Sequence, residues 1–120
     1  MIRVLAVDDS AVMRNMVRIS LSQAGFEVTQ AKDAATALEL ARQSSYDLVL
    51  ADVNMPGMNG IELIRALRNA EAYRHTPILM LTTESSPERK REGKEAGATG
   101  WIVKPFDPEQ LVATMQRVLR

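Results

Sequence analysis

The sequence predicts an α/β fold: a doubly wound, five-stranded parallel sheet covered by five helices. Short β-rich runs alternate with helical periodicity along the whole chain. Several of those runs are almost continuously apolar, as strands buried on both faces must be. Four of them stop at polar residues, Asp8-Asp9, Asp52, Thr82 and Lys104. In a parallel sheet those stops share one edge, where ligands of such folds bind. A chain of 120 residues, 46% of them hydrophobic, suits one compact domain over 1–120.

Each element has a local reason. Ile2–Val7 reads as a buried first strand, apolar apart from Arg3. A helix is predicted over Ala11–Ala24, with Ser10 as N-cap and Gly25 as stop. Its apolar residues are Val12, Met16, Ile19 and Met13, Val17, Leu21, at helical spacing. Phe26–Gln30 is less apolar and suits a strand near an edge. Asp33 caps a second helix with Ala37, Leu38 and Ala41 inward. Asp47–Ala51 is a buried strand ending at Asp52, and the turn-rich VNMPGMNG that follows is a loop.

Gly60–Asn69 returns to helical spacing, and Ile78–Leu81 forms a fourth strand. Pro87–Ala96 predicts a helix with Ser86 as cap, Pro87 in its first turn and almost no apolar face. Gly100–Val103 is the fifth strand. Asp107-Pro108-Glu109-Gln110 starts the last helix, with Gln110 in the capping-box position. Leu111, Val112, Met115, Val118 and Leu119 form its core stripe. The chain closes on that helix, so no output domain is expected.

Composition excludes several classes. Lys+Arg and Asp+Glu are both 15, and a nucleic-acid binder would carry a basic excess. There is no Cys, hence no disulfide or thiolate metal site. No apolar run approaches the ~20 residues of a membrane span. The N-terminus reaches its paired acids too soon for a signal-peptide core. A cytoplasmic protein without membrane insertion is the expectation. Acids and not glycines follow the first strand, which argues against dinucleotide binding.

The strand-end residues define the chemistry. Three carboxylates held together resist ionising together, and a cation relieves that repulsion. Hard oxygen ligands without His or Cys select Mg²⁺, with Mn²⁺ as the alternative. Mg²⁺ takes only one or two carboxylates and leaves room for a phosphoryl oxygen. Lys104 can neutralise a second oxygen and the Thr82 hydroxyl can bond a third. A carboxylate nucleophile, a metal, a lysine and a hydroxyl make an aspartyl-phosphate site.

At this point the sequence closely resembles the receiver domain of two-component response regulators, most of all the stand-alone chemotaxis receivers that bind the flagellar motor switch. AVDDS at 6–10, LADVNMPGMNG at 50–60, LMLTTE at 79–84 and GWIVKPF at 100–106 carry the resemblance, which runs from Ile2 to Leu119. It implies the flavodoxin-like strand order 2-1-3-4-5, carried over from the family. It also implies that Asp52 is the phosphoacceptor. Asp9, Asp52 and the Asn54 backbone carbonyl would ligate Mg²⁺, with Asp8 acting largely through metal-bound water. Thr82 and Lys104 would engage the phosphoryl group, and Trp101 would be the switching aromatic.

Lys104-Pro105 would carry a cis peptide, and Asn54 and Glu84 would tune hydrolysis. The implied donor is a histidine kinase or phosphotransfer protein. The implied output partner is a protein such as a motor switch component, met by a monomer through its fourth helix, fifth strand and fifth helix. Val53, Thr83 and Trp101 depart from the common residues of the family. Two other functions compete. One is a phosphohydrolase: Asp52-Val53-Asn54 is faintly similar to a haloacid-dehalogenase signature, but it does not follow the first strand and lacks a second Asp. The other is an inactive scaffold, which the intact acids oppose. His75 reads as a solvated loop residue, and Arg89, Lys90, Arg91 and Lys94 form a basic helix face.

Overall fold

The computed structural model describes residues 1–55, 57–83 and 87–119. Five strands, β1 (Arg3–Val7), β2 (Glu27–Ala31), β3 (Leu48–Asp52), β4 (Ile78–Thr82) and β5 (Gly100–Val103), form one parallel sheet in the order β2-β1-β3-β4-β5. Five α-helices link them: α1 (Ala11–Gln23), α2 (Ala34–Gln43), α3 (Gly60–Arg68), α4 (Pro87–Ala96) and α5 (Pro108–Val118). This is the doubly wound fold expected, with the family's strand order.

Alternating strand residues feed two cores. Val4, Ala6, Leu48, Leu50, Leu79 and Leu81 pack under α1 and α5 through Val17, Leu21, Leu111 and Met115. Leu5, Val7, Val49, Ala51, Ile78 and Met80 pack under α2, α3 and α4. β3 and β4 are buried throughout because helices cover both faces, which explains their unbroken apolar runs. β2, at the edge, is only partly buried.

Several caps match the sequence. Ser10 Oγ accepts from the Met13 N–H at 3.2 Å, and an Asp33 carboxylate oxygen accepts from the Thr36 N–H at 2.7 Å. Gly25, at φ 92°, follows α1 in the left-handed region. Asp107 caps α5 by accepting from the Glu109 N–H at 3.0 Å, one residue earlier than Gln110. Ser86 lies outside the described residues. A capping box of Asn59 and Glu62 starts α3, and a short 3-10 turn at Glu71–Tyr73 precedes β4. Neither was predicted.

α1 buries one of its two apolar stripes. Val17 and Leu21 are buried and Met13 packs beside them, but Val12, Met16 and Ile19 are 72%, 43% and 42% exposed. Two apolar stripes fit the helical spacing, and a helix lying on one sheet face can bury only one. α4 buries only Gly93 and Ala96, in keeping with its near-absent apolar face.

Candidate functional site

Strand pairing places the site. The Asp8 N–H continues the β1–β2 ladder by donating to the Ala31 carbonyl at 3.1 Å, and the Val53 N–H extends β3 by donating to Leu81 O at 3.0 Å. The Lys104 N–H donates to Thr82 O at 2.8 Å. The residues that end β1, β3, β4 and β5 therefore meet at one sheet edge, held by backbone bonds. Asp8, Asp52 and Thr82 are buried there, while Asp9 is exposed. One carboxylate oxygen from each of Asp8, Asp9 and Asp52 lies within 4.8 Å of the others.

Lys104 closes the cluster. Its Nζ lies 3.0 Å from Asp8 Oδ2 and 3.2 Å from Asp52 Oδ1. The Lys104–Pro105 peptide is cis. The Asn54 N–H donates to Asp52 Oδ1 at 3.2 Å, and the Ser10 N–H to Asp8 Oδ1 at 2.9 Å. Burial, then repulsion from Asp8, pushes the Asp52 carboxyl from its ordinary 3.8 up to about 6, against the pull of Lys104 and the Asn54 N–H. Burial works against the Lys104 ammonium, but the two carboxylates outweigh it and hold its pKa above the usual lysine value.

Three carboxylates against one ammonium leave the site negative. Asp8 Oδ2 is buried and receives no well-directed hydrogen bond, with the ammonium as its ion-pair partner. An oxygen-only donor set with an under-satisfied buried carboxylate fits a hard divalent cation.

The other predicted residues lie around this cluster. Asn54 is exposed, and its side-chain amide donates to Thr83 Oγ1 at 3.5 Å. Trp101 pairs in register with Met80 and is 42% exposed, with Lys90 Nζ 4.6 Å from its ring centroid. Glu84 lies outside the described residues. His75 is exposed.

Three supporting features were missed by sequence reasoning. Arg14 donates to the Asp8 carbonyl at 2.7 Å, bracing the strand end from α1. Gly60 starts α3 so close to β3 that an added Cβ would overlap the Asp52 carbonyl oxygen. The Asn59-x-x-Glu62 spacing that caps this helix start was readable. Lys90 over Trp101 depends on how α4 is laid across β5, and no spacing signals it.

The model of the response regulator receiver domain matches residues 4–116. The chain belongs to that family. Chemotaxis protein CheY-3 of Vibrio cholerae is 40% identical over 117 residues, covering 97% of this chain and 90% of its own. Chemotaxis protein CheY of Pseudomonas aeruginosa is 38% identical, covering 97% and 94%. The solved structure of V. cholerae chemotaxis protein CheY4 superposes with a TM-score of 0.96 at 55% identity, covering 98% of each chain.

This receiver domain is thus a two-component signalling module with chemotaxis relatives. Membership implies a histidine kinase as phosphodonor and a partner protein as output. The three aspartates form the kind of acidic pocket at which receiver domains bind Mg²⁺. Among the described residues, no helix is long and apolar enough to cross a membrane.

Proposed function

We propose that Asp52 accepts a phosphoryl group from a histidine kinase or phosphotransfer protein in a Mg²⁺-dependent reaction, and that the modified chain presents an altered surface to a protein partner in chemotaxis or motility control. The reading rests on one observation above others: Lys104 Nζ stands 3.0 and 3.2 Å from two carboxylates that lie within reach of a third. Asp9, Asp52 and the Asn54 carbonyl would hold the metal, with Asp8 contributing through metal-bound water. Bound Mg²⁺ would supply charge neutralisation for the oxygens of the transferring group.

The chain's own residues do the rest. A carboxylate oxygen of Asp52 attacks phosphorus, the P–N bond of the donor phosphohistidine breaks, and its electron pair leaves on the imidazole. Lys104 shifts its ammonium from Asp52 to a phosphoryl oxygen, and the Thr82 hydroxyl donates to another. Asn54 and Glu84 set how fast water removes the group. Thr82 moves toward the phosphoryl group, Trp101 turns inward, and the face formed by α4, β5 and α5 changes. The chain catalyses only its own modification and hydrolysis, acting as a cytoplasmic, monomeric switch.

Incubation with Mg²⁺ and acetyl phosphate should add one phosphoryl group to Asp52, read by mass spectrometry, and Asp52→Asn should abolish it. A main adduct on another residue refutes the assignment. Beryllofluoride with Mg²⁺ should blue-shift Trp101 emission, with a smaller shift in Thr82→Ala. An unchanged Trp101 in a mimic-bound wild type refutes the switch.

A further inference from the structure

Of the three carboxylates at the site, Asp9 is the one least held by its own atoms. Asp8 and Asp52 are buried and both pair with Lys104. Asp9 is exposed, and among the described residues it makes no hydrogen bond or ion pair of its own. Yet one of its oxygens lies within 4.8 Å of oxygens of the other two. Its place is therefore set through the two peptides that flank it.

Both flanking peptides are held. On the far side the Ser10 N–H donates to Asp8 Oδ1 at 2.9 Å. On the near side the Asp8 carbonyl lies just past the end of β1, and among the described residues no backbone N–H donates to it. Arg14 takes that place. Its Nη1 reaches back from the start of α1 and donates to the Asp8 carbonyl oxygen at 2.7 Å. A peptide unit is planar, so fixing the Asp8 oxygen also fixes the nitrogen and Cα of Asp9. A charged donor makes the stronger kind of hydrogen bond. Among the described residues Arg14 pairs with no carboxylate, so nothing competes for the guanidinium there.

We propose that Arg14 is a positioning residue for the divalent cation, orienting the Asp8–Asp9 peptide so that the Asp9 carboxylate stands with those of Asp8 and Asp52. The inference rests on the reading of the three aspartates as a Mg²⁺ site. The sign of its effect separates it from plain electrostatics. A guanidinium beside a cation site repels the cation, so on charge alone removing Arg14 would tighten Mg²⁺ binding. Positioning predicts the reverse. Loss of a group that orients a metal ligand costs about 10- to 100-fold in affinity. The lower end applies here, because the Ser10 bond on the other side of Asp9 remains.

The test titrates Mg²⁺ into the full chain by calorimetry, with no phosphodonor present. Arg14→Met, which keeps the length and drops the donor, should bind Mg²⁺ about tenfold more weakly. Arg14→Lys, which keeps the charge and one donor group, should fall between Met and wild type. Arg18→Met removes a like charge one turn further along α1, where Arg18 donates to Asn15 Oδ1 at 2.7 Å, and should bind no more weakly than wild type. With acetyl phosphate added, the Mg²⁺ concentration for half-maximal adduct formation in Arg14→Met should rise by the same factor, and the rate at saturating Mg²⁺ should fall by less. A lowered urea midpoint with unchanged Mg²⁺ affinity would make Arg14 a structural brace alone and overturn the inference. Tighter binding in Arg14→Met would leave only its charge and overturn it as well. If Arg14→Met does not fold, Arg14→Lys decides by itself: weaker binding than wild type upholds the inference, and unchanged binding overturns it. A wild type that binds no Mg²⁺ would remove the metal reading and this inference together, whereas wild-type binding indifferent to Arg14 removes the inference alone.

Discussion

Replacing Asp52 by Asn should stabilise the metal-free protein at pH 8 and give no such gain at pH 4. In the fold the Asp52 carboxyl is pushed from 3.8 up to about 6, by burial first and by Asp8 second. Below the ordinary value the group is protonated in both folded and unfolded chains, and full stability is present. As pH rises the unfolded chain ionises first, so stability falls until the folded group has also ionised, somewhat above pH 6. At about 1.4 kcal/mol per pH unit, the loss is on the order of 3 kcal/mol. The attraction of Lys104 already opposes that rise, and Asn leaves the ammonium with Asp8 at 3.0 Å. A urea slope of about 1–3 kcal/mol/M turns the gain into a midpoint shift of roughly 1–3 M. The measurement is urea unfolding in chelator at pH 4, 6 and 8, followed by far-UV circular dichroism, because the half-exposed Trp101 reports its own surroundings. A difference that stays constant across this range, or a wild type that gains on the variant as pH rises, refutes the account of the site's electrostatics.

Mg²⁺ should stabilise the wild type, by about 2.7 kcal/mol at ~100 times its dissociation constant, and Asp9→Asn should weaken that effect. An unchanged melting temperature in millimolar Mg²⁺ would count against the metal site. Tyr73→Phe should cost about 1–3 kcal/mol in urea unfolding, because the buried hydroxyl is shared between the Ala41 and Ser44 carbonyls at 2.9 and 2.8 Å. Gly60→Ala should cost about 1–3 kcal/mol and slow adduct formation by acetyl phosphate, because the new methyl must displace the Asp52 carbonyl. Wild-type stability and adduct rate in that variant would show the α3 start to be free to retreat.

The fold was legible because its signals are local and agree with one another. Caps at Ser10 and Asp33, the stop at Gly25 and the unbroken runs of β3 and β4 each name an element without reference to the others. The strand ends were legible for the same reason: once the sheet is parallel, Asp8, Asp52, Thr82 and Lys104 must share an edge. What the sequence hid depends on packing. Periodicity marks Val12, Met16 and Ile19 as apolar, but not which stripe of α1 meets the sheet. Sequence puts three acids together, yet burial and Asp8 are what raise Asp52, while Asp9 stays exposed. The hold of Lys90 on Trp101 depends on how α4 seats on the sheet, with Gly93 against Met80, which no spacing signals.

The same geometry limits how a signal can leave the site. Lys104 lies three residues beyond Trp101, and alternation along a strand sends their side chains to opposite faces. Thr82 lies two residues beyond Met80 on β4, and Met80 is the register partner of Trp101, so these three share the face under α4. In the proposed switch the hydroxyl of Thr82, and not the ammonium of Lys104, is the group placed to inform the indole. Energies agree with that assignment. A charge-assisted hydrogen bond from Thr82 to a phosphoryl oxygen is worth about 1.5–3 kcal/mol. The cation–π contact that holds Trp101 outward, at a half-exposed position, is worth about 0.5–1 kcal/mol. The first exceeds the second by a margin that shifts a two-state population several-fold to tenfold or more. Lys90 therefore sets the resting balance without locking it.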